Sequence, residues 1–211
     1  NLRNTTHLDS GRLEDLFLKA IDGWSHDGLD VAIRPSRGAD FSGSCHYVPP
    51  RIYVNIGRHN RYPYLLRSHI ARARSDARSW WRELYTIELS DAYELVLFIF
   101  LHEFYHWLIR RARRNGRQKE SRCDRFAARV LVGQFGAVVR DVRGRDVPRS
   151  EWDFQDLDGF VAAARLRPKP VRAMATPIKQ TERSRPLASG NVPVQSPTDD
   201  YPARQLWLFQ P

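Results

Sequence analysis

His102-Glu103-Phe104-Tyr105-His106 sets two histidines four residues apart, with a glutamate beside the first. On an α-helix, residues four apart share a face, so both imidazoles can grip one metal ion. The glutamate then lies within reach of a water held by that ion and can act as its general base. The motif directly follows an uninterrupted apolar run, residues 95–101, which predicts a largely buried helix. Two imidazoles and a carboxylate are costly in such a place unless something ligates or pairs them. Structural histidines satisfied by neighbouring groups are the alternative reading.

A catalytic zinc site usually takes three protein ligands and leaves a fourth position for water. No histidine follows His106, and two cysteines, Cys45 and Cys123, are too few for an all-cysteine site. An acidic third ligand from the next helix is the simplest solution. Glu120 comes after a turn signal at Asn115-Gly116, on a stretch able to fold back against the first helix. Asp124 lies four residues further on and shares its face. Glu120 is therefore expected as third ligand, and Asp124 as acceptor for the outer nitrogen of a ligand imidazole. The two roles could be exchanged, and a solvated helix pairing both with Arg117 or Arg125 is the alternative.

The elements that must position these groups read as follows. Leu13, Leu16, Phe17, Ala20, Ile21 and Trp24 recur at helical spacing over residues 10–24. Leu29, Val31 and Ile33 alternate as in a half-buried strand, and residues 41–47 and 51–56 are strand candidates around Pro49-Pro50. Residues 63–84 return to helical spacing through Leu66, Ile70, Ala73, Ala77, Trp80/Trp81 and Leu84, with Arg67, Arg74, Arg78 and Arg82 on another face. The motif helix runs over 91–114, opened by the capping pattern Asp91-Ala-Tyr-Glu94 and stopped at Asn115-Gly116. A further helix spans 118–132 and ends at Gly133, and Ser150-Glu-Trp-Asp153 caps a last one to about residue 165. Helix, strands and then helices make the class α+β.

Glu120-Ser-Arg-Cys-Asp-Arg-Phe-Ala-Ala128, following the histidine motif, resembles the Glu-x-x-Ala-Asn/Asp-x-Phe-Ala helix of the ImmA/IrrE family of gluzincin metallopeptidases, with Cys123 where a small residue is usual. Arg51-Ile52-Tyr53-Val54-Asn55 is similar to the edge strand that precedes the active-site helix there. The resemblance covers residues 45–132; the stretch 57–90 is longer than the family pattern, and the C-terminal part has no counterpart in it. SprT-like proteases share the general plan but close the site with a third histidine. The resemblance implies a zincin-like domain, a small sheet packed on the motif helix and the glutamate helix. It also implies Zn2+ on His102, His106 and Glu120, Glu103 as general base in peptide-bond hydrolysis, and an extended substrate held by β-pairing. Tyr47, His46 and Arg51 stay open as candidates to stabilise the oxyanion.

The 211 residues carry 34 Lys+Arg against 24 Asp+Glu, a formal charge of +10, nearly all of the cations being arginine. Arginine's planar fork suits phosphate, so DNA is an expected partner. Arg67, Arg74, Arg78 and Arg82 form one candidate DNA-binding cluster; Arg110, Arg111, Arg113 and Arg114, at the end of the motif helix, form another. Cations there also suit the helix dipole. Trp80-Trp81 could stack on exposed bases. Residues 8–165 read as the folded domain, 166–204 as a Pro/Ser/Arg-rich disordered linker, and 205–211 as a separate peptide. In it, Gln205-Leu206-x-Leu208-Phe209 resembles the bacterial sliding-clamp binding motif; folding back onto the domain is the alternative. A hydrophobic content of 42% excludes a wholly disordered chain, and the few cysteines exclude a disulfide scaffold and fit a reducing cytoplasm. No uninterrupted apolar run is long enough to span a bilayer, and the N-terminus lacks a signal-peptide core. The expectation is a cytoplasmic, nucleoid-associated zinc endopeptidase acting on DNA-associated proteins such as DNA–protein crosslinks, recruited by the clamp. Cleavage of a DNA-bound repressor and a non-catalytic DNA- and clamp-binding adaptor are the alternatives.

Overall fold

A computed structural model describes residues 1–114 and 119–162; the turn at Asn115-Gly116, Arg117, the linker and the clamp-like peptide lie outside them. The chain opens with β1 (Leu2–Asn4), α1 (Ser10–Ala20) and β2 (Asp30–Pro35). The Asp9 carboxylate caps α1 by accepting from the Arg12 amide at 2.6 Å, and Leu13, Phe17 and Ala20 bury one face. A helical crossover lets β1 and β2 pair in parallel, Leu2 opposite Val31.

β3 (Phe41–Tyr47) and β4 (Pro50–Ile56) form a hairpin, with Gly43 opposite Val54. β4 also pairs in parallel with β2, Val31 opposite Ile52, so the sheet order is β1-β2-β4-β3. The segment 51–55, expected at the edge, is thus interior, and β3 is the edge strand beyond it. Alternation of Ile52, Val54 and Ile56 marks a half-buried strand but carries no information about which neighbours flank it.

α2 (Ala92–Arg111) is capped reciprocally: the Asp91 carboxylate accepts from the Glu94 amide at 2.9 Å, and the Glu94 carboxylate from the Ser90 amide at 2.6 Å. Its residues 95–109 are all buried, because β3 and β4 cover one side while α1 and α3 (Lys119–Val130) pack on others. By length and composition alone α2 could cross a membrane, but 83% of its most apolar window is buried inside the protein, as a central core helix requires. After α3 a π-helical turn, Leu131–Phe135, closes at Gly136, whose φ of 78° suits glycine. The stop is therefore Gly136 rather than Gly133.

The largest departure from the sequence reading is residues 63–84. Instead of a helix they hold β5 (Tyr64–Ser68), β6 (Ala73–Ser75) and β7 (Trp80–Arg82), followed by β8 (Tyr85–Leu89). β5, β8 and β9 (Val138–Arg140) form an antiparallel sheet, while among the described residues β6 and β7 pair only with each other. A two-residue period was present: Leu66 and Ser68 are buried between exposed Leu65 and Arg67, and Tyr85, Ile87 and Leu89 are buried in turn. The residues at helical spacing come from separate strands and loops, so Ile70 is fully buried while Trp80 is 73% exposed. Arg67, Arg74, Arg78 and Arg82 accordingly share no helix face. The last expected helix is two short ones, α4 (Arg149–Trp152) after Pro148 and α5 (Leu157–Ala162), with Trp152 and Leu157 buried between them and the core. The overall class is α+β.

Candidate metal centre

The helical period of α2 brings the two histidines together: Nε2 of His102 and Nε2 of His106 are 3.0 Å apart. Glu120, in the first turn of α3, sets its Oε2 3.4 Å from the first nitrogen and 3.2 Å from the second. That oxygen is cut off from solvent, although the side chain as a whole is 43% exposed. Zinc bonds of about 2.0–2.1 Å in tetrahedral array put ligand atoms about 3.3 Å apart. The observed triangle has that size before any ion is considered.

Asp124, one turn beyond Glu120, places Oδ1 2.7 Å from His102 Nδ1 and accepts a hydrogen bond at Oδ2 from the Ser68 hydroxyl, also at 2.7 Å. A proton on Nδ1 then leaves the Nε2 lone pair pointing at the triangle. Burial alone would push the His102 imidazole down, but Asp124 and Glu120 override it and raise it to about 10. Burial likewise works against ionised Glu120, yet the two imidazoles hold its carboxyl well below the usual range. Asp124 and Glu120 favour charged His102, and the imidazoles favour charged Glu120, so a positive charge among these groups is strongly favoured. A shared proton or a metal ion supplies it. Arg125 does not pair with Glu120 or Asp124; it turns away to donate to the Ile70 carbonyl at 2.8 Å and the Ser121 hydroxyl at 3.3 Å, tying α3 to the segment after β5.

Cys123 is fully buried, and its sulfur lies with nitrogens of His102 and His106 within 4.8 Å of one another. These three buried side chains are thus close enough to hold a metal ion, though more loosely grouped than the triangle with Glu120. Cysteine one turn after Glu120 was the signal for this neighbour, which the sequence reading passed over as a ligand.

Glu103 is 3% exposed and lies beneath the edge strand. A methyl group on Gly43 would stand 2.5 Å from Glu103 Oε1 and 2.8 Å from Ile99 Cγ2, so only glycine lets β3 pass this close. A glycine inside an alternating strand is the available sequence signal for such an approach; Ser68 had none, since it lies on a strand read as helix. Cys45 and Tyr47 share Gly43's side of β3. Burial pushes the Tyr47 phenol up to about 12, with Glu103 among the anions adding to it, and the Arg110 guanidinium lies 5.5 Å from its ring. His46 instead stacks edge-on with Tyr53, and Arg51 binds Asp30 at 2.9 Å and the Tyr53 hydroxyl at 3.3 Å. Of the three oxyanion candidates, Tyr47 is the one on the Glu103 side.

The candidate arginines of residues 67–82 share no helix face, but Arg67, Arg74 and Arg82 border one groove. Arg74 pairs with Glu83 at 3.2 Å, Arg82 donates to the His69 carbonyl at 3.1 Å, Arg78 sits in the β6–β7 turn and Arg67 is exposed on β5. Arg111 donates to the Ser25 carbonyl at 3.2 Å and Arg114 to the Phe160 carbonyl at 2.8 Å, while Arg113 adopts a left-handed φ of 52°. An open groove of about 2320 Å³, bordered by the β2–β3 turn, β5 and the β6–β7 hairpin, reaches Glu120, Ser121 and Asp124. No family model matches the chain, and no curated protein or solved structure matches it.

Proposed function

We propose that the protein is a zinc-dependent endopeptidase acting on proteins associated with DNA. The observation that carries the hydrolytic reading is the triangle of His102, His106 and Glu120 atoms at 3.0–3.4 Å, with Glu103 adjoining it beneath an edge strand. His102, His106 and Glu120 would hold the ion, with Cys123 as a buried neighbour. Bound there, zinc would acidify water and polarise a peptide carbonyl.

The chain's own groups do the rest. Asp124, fixed by Ser68, holds the Nδ1 proton of His102 and so its orientation. Glu103 accepts a proton from the attacking water at a carboxylate oxygen and returns it to the leaving amine. The outer edge of β3 offers backbone groups to an extended polypeptide, which would lie along Glu103. Tyr47, a phenol protonated at neutral pH and on the Glu103 side of β3, is the donor suited to the developing oxyanion.

Elemental analysis of the purified protein tests this reading. About one zinc per chain is expected, lost in Glu120→Ala and retained in Cys123→Ala. Absence of zinc after reconstitution, or its loss with Cys123→Ala alone, overturns the ligand set. Glu103→Gln should keep the metal and abolish peptide hydrolysis; a non-catalytic adaptor would lose no function by it.

A further inference from the structure

The β6–β7 hairpin carries features that peptide hydrolysis does not use. Among the described residues its strands pair only with each other, Ser75 opposite Trp80 and Ala73 opposite Arg82. Its turn is closely built: the Asp76 amide donates to the Ser79 carbonyl at 2.9 Å. Asp76 Oδ1 accepts from the amides of Arg78 and Ser79 at 2.8 and 2.7 Å and from the Ser79 hydroxyl at 3.1 Å. Arg82 ties its base to the His69 carbonyl. The ribbon is thus held in one shape, yet Trp80 is 73% exposed and Trp81 44% exposed. Adjacent strand positions face opposite sides, so the two indoles cover both faces of the ribbon. Large exposed aromatic groups on a fixed element mark an interaction surface.

Trp80 and Trp81 border the groove that reaches Glu120 and Asp124, and Arg34, Arg37, Arg58 and Arg67 line it with them. Asp40, the acid near its other end, accepts from the Tyr64 hydroxyl at 3.1 Å. We infer that this groove binds single-stranded nucleic acid, with Trp80 and Trp81 as stacking platforms and the arginines on backbone phosphates. A duplex hides its base faces, whereas a single strand offers one per nucleotide. An acidic polypeptide would satisfy the arginines but has no flat faces to match two exposed indoles. Polypeptide attached to the strand would thereby be brought to the metal centre; that consequence rests on the peptidase reading, while the binding itself does not.

The test uses the full chain, as wild type and as Glu103→Gln, with a labelled oligothymidylate of about 20 nucleotides, a duplex of equal length, and polyglutamate, read by fluorescence anisotropy. The oligothymidylate should bind more tightly than the duplex or polyglutamate, quench tryptophan emission, and weaken steeply with salt. Trp80→Ala should weaken it about tenfold, and Trp80→Ala/Trp81→Ala further. Arg67→Glu, on an exposed position of β5, should weaken it and flatten the salt dependence. Equal affinity for the duplex overturns the proposal, as does polyglutamate binding as tightly as the oligonucleotide. Unchanged binding in the tryptophan variants overturns it too. Because every arm is read without turnover, a protein that binds the strand but holds no zinc removes the peptidase reading alone, and one that holds zinc without binding removes this one alone.

Discussion

At the scale of single residues, the site is a problem of where protons and lone pairs sit. Asp124 takes the outer nitrogen of His102, and Ser68 takes the second oxygen of Asp124, so a chain of two hydrogen bonds, each 2.7 Å, aims one imidazole. Asp124→Asn keeps the shape but removes the charge that favours the Nδ1 proton. Metal affinity, measured by competition with a chromogenic chelator, should fall about 10–100-fold. Ser68→Ala removes a buried donor and should cost about 1 kcal/mol of stability in urea unfolding, with a smaller loss of metal affinity. On the proposed peptidase reading, Glu103→Gln should leave metal content unchanged and lower peptide hydrolysis by at least about 10²-fold, since only the proposed proton acceptor is lost.

At the scale of elements, the decisive contact is β3 over α2. Gly43 lies directly against Glu103 and Ile99, with no space for a methyl group. Gly43→Ala should force strand and helix apart at Glu103. We expect about 1–3 kcal/mol of destabilisation, with a loss of hydrolysis larger than stability explains, measured by thermal unfolding beside turnover of an extended peptide. The β6–β7 hairpin depends on Asp76 in a similar way. Amide donors from Arg78 and Ser79 hold its carboxyl below the ordinary 3.8. A lowered folded-state pKa means the contribution is complete above the unfolded value and is lost as the pH falls through the lowered one. Acidification into that range, or Asp76→Ala at neutral pH, should loosen the ribbon, seen as a change in emission of Trp80 and Trp81 with the core intact. The period of residues 63–84 misled because apolar residues in short strands joined by tight turns can fall at helical spacing by accident. Pairing of β5 with β8, which begins just past the segment, and of β8 in turn with the distant β9, decided between the two periods.

At the scale of the molecule, a metal joining α2 to α3 would add a link between two helices that already meet through packing and the His102–Asp124 hydrogen bond. Its removal by a chelator should lower the unfolding temperature of the wild type, by about 2.7 kcal/mol of linkage when free metal is 100 times Kd, and leave Glu120→Ala unaffected. Gln205–Phe209 belong to the residues outside those described. A peptide of residues 205–211 should bind a bacterial sliding clamp in solution, and deleting it should abolish clamp binding by the full chain while leaving cleavage of a free peptide unchanged. Equal clamp binding after deletion would remove recruitment from the reading.

What the sequence alone determined is local. Two histidines four apart share a face because the helix has 3.6 residues per turn, and Glu120 and Asp124 share one for the same reason. The capping carboxylate of Asp91 and the apolar run before His102 likewise act within a few residues of themselves. The tertiary structure decided everything that needs a partner from far along the chain. That includes which strand is the edge, why Gly43 must be glycine, and that Ser68 stands behind Asp124. It also decided that the arginines of residues 67–82 lie along strands and a turn instead of one helix. Those outcomes follow from strand pairing and from packing between elements, whose geometry no short window of sequence contains.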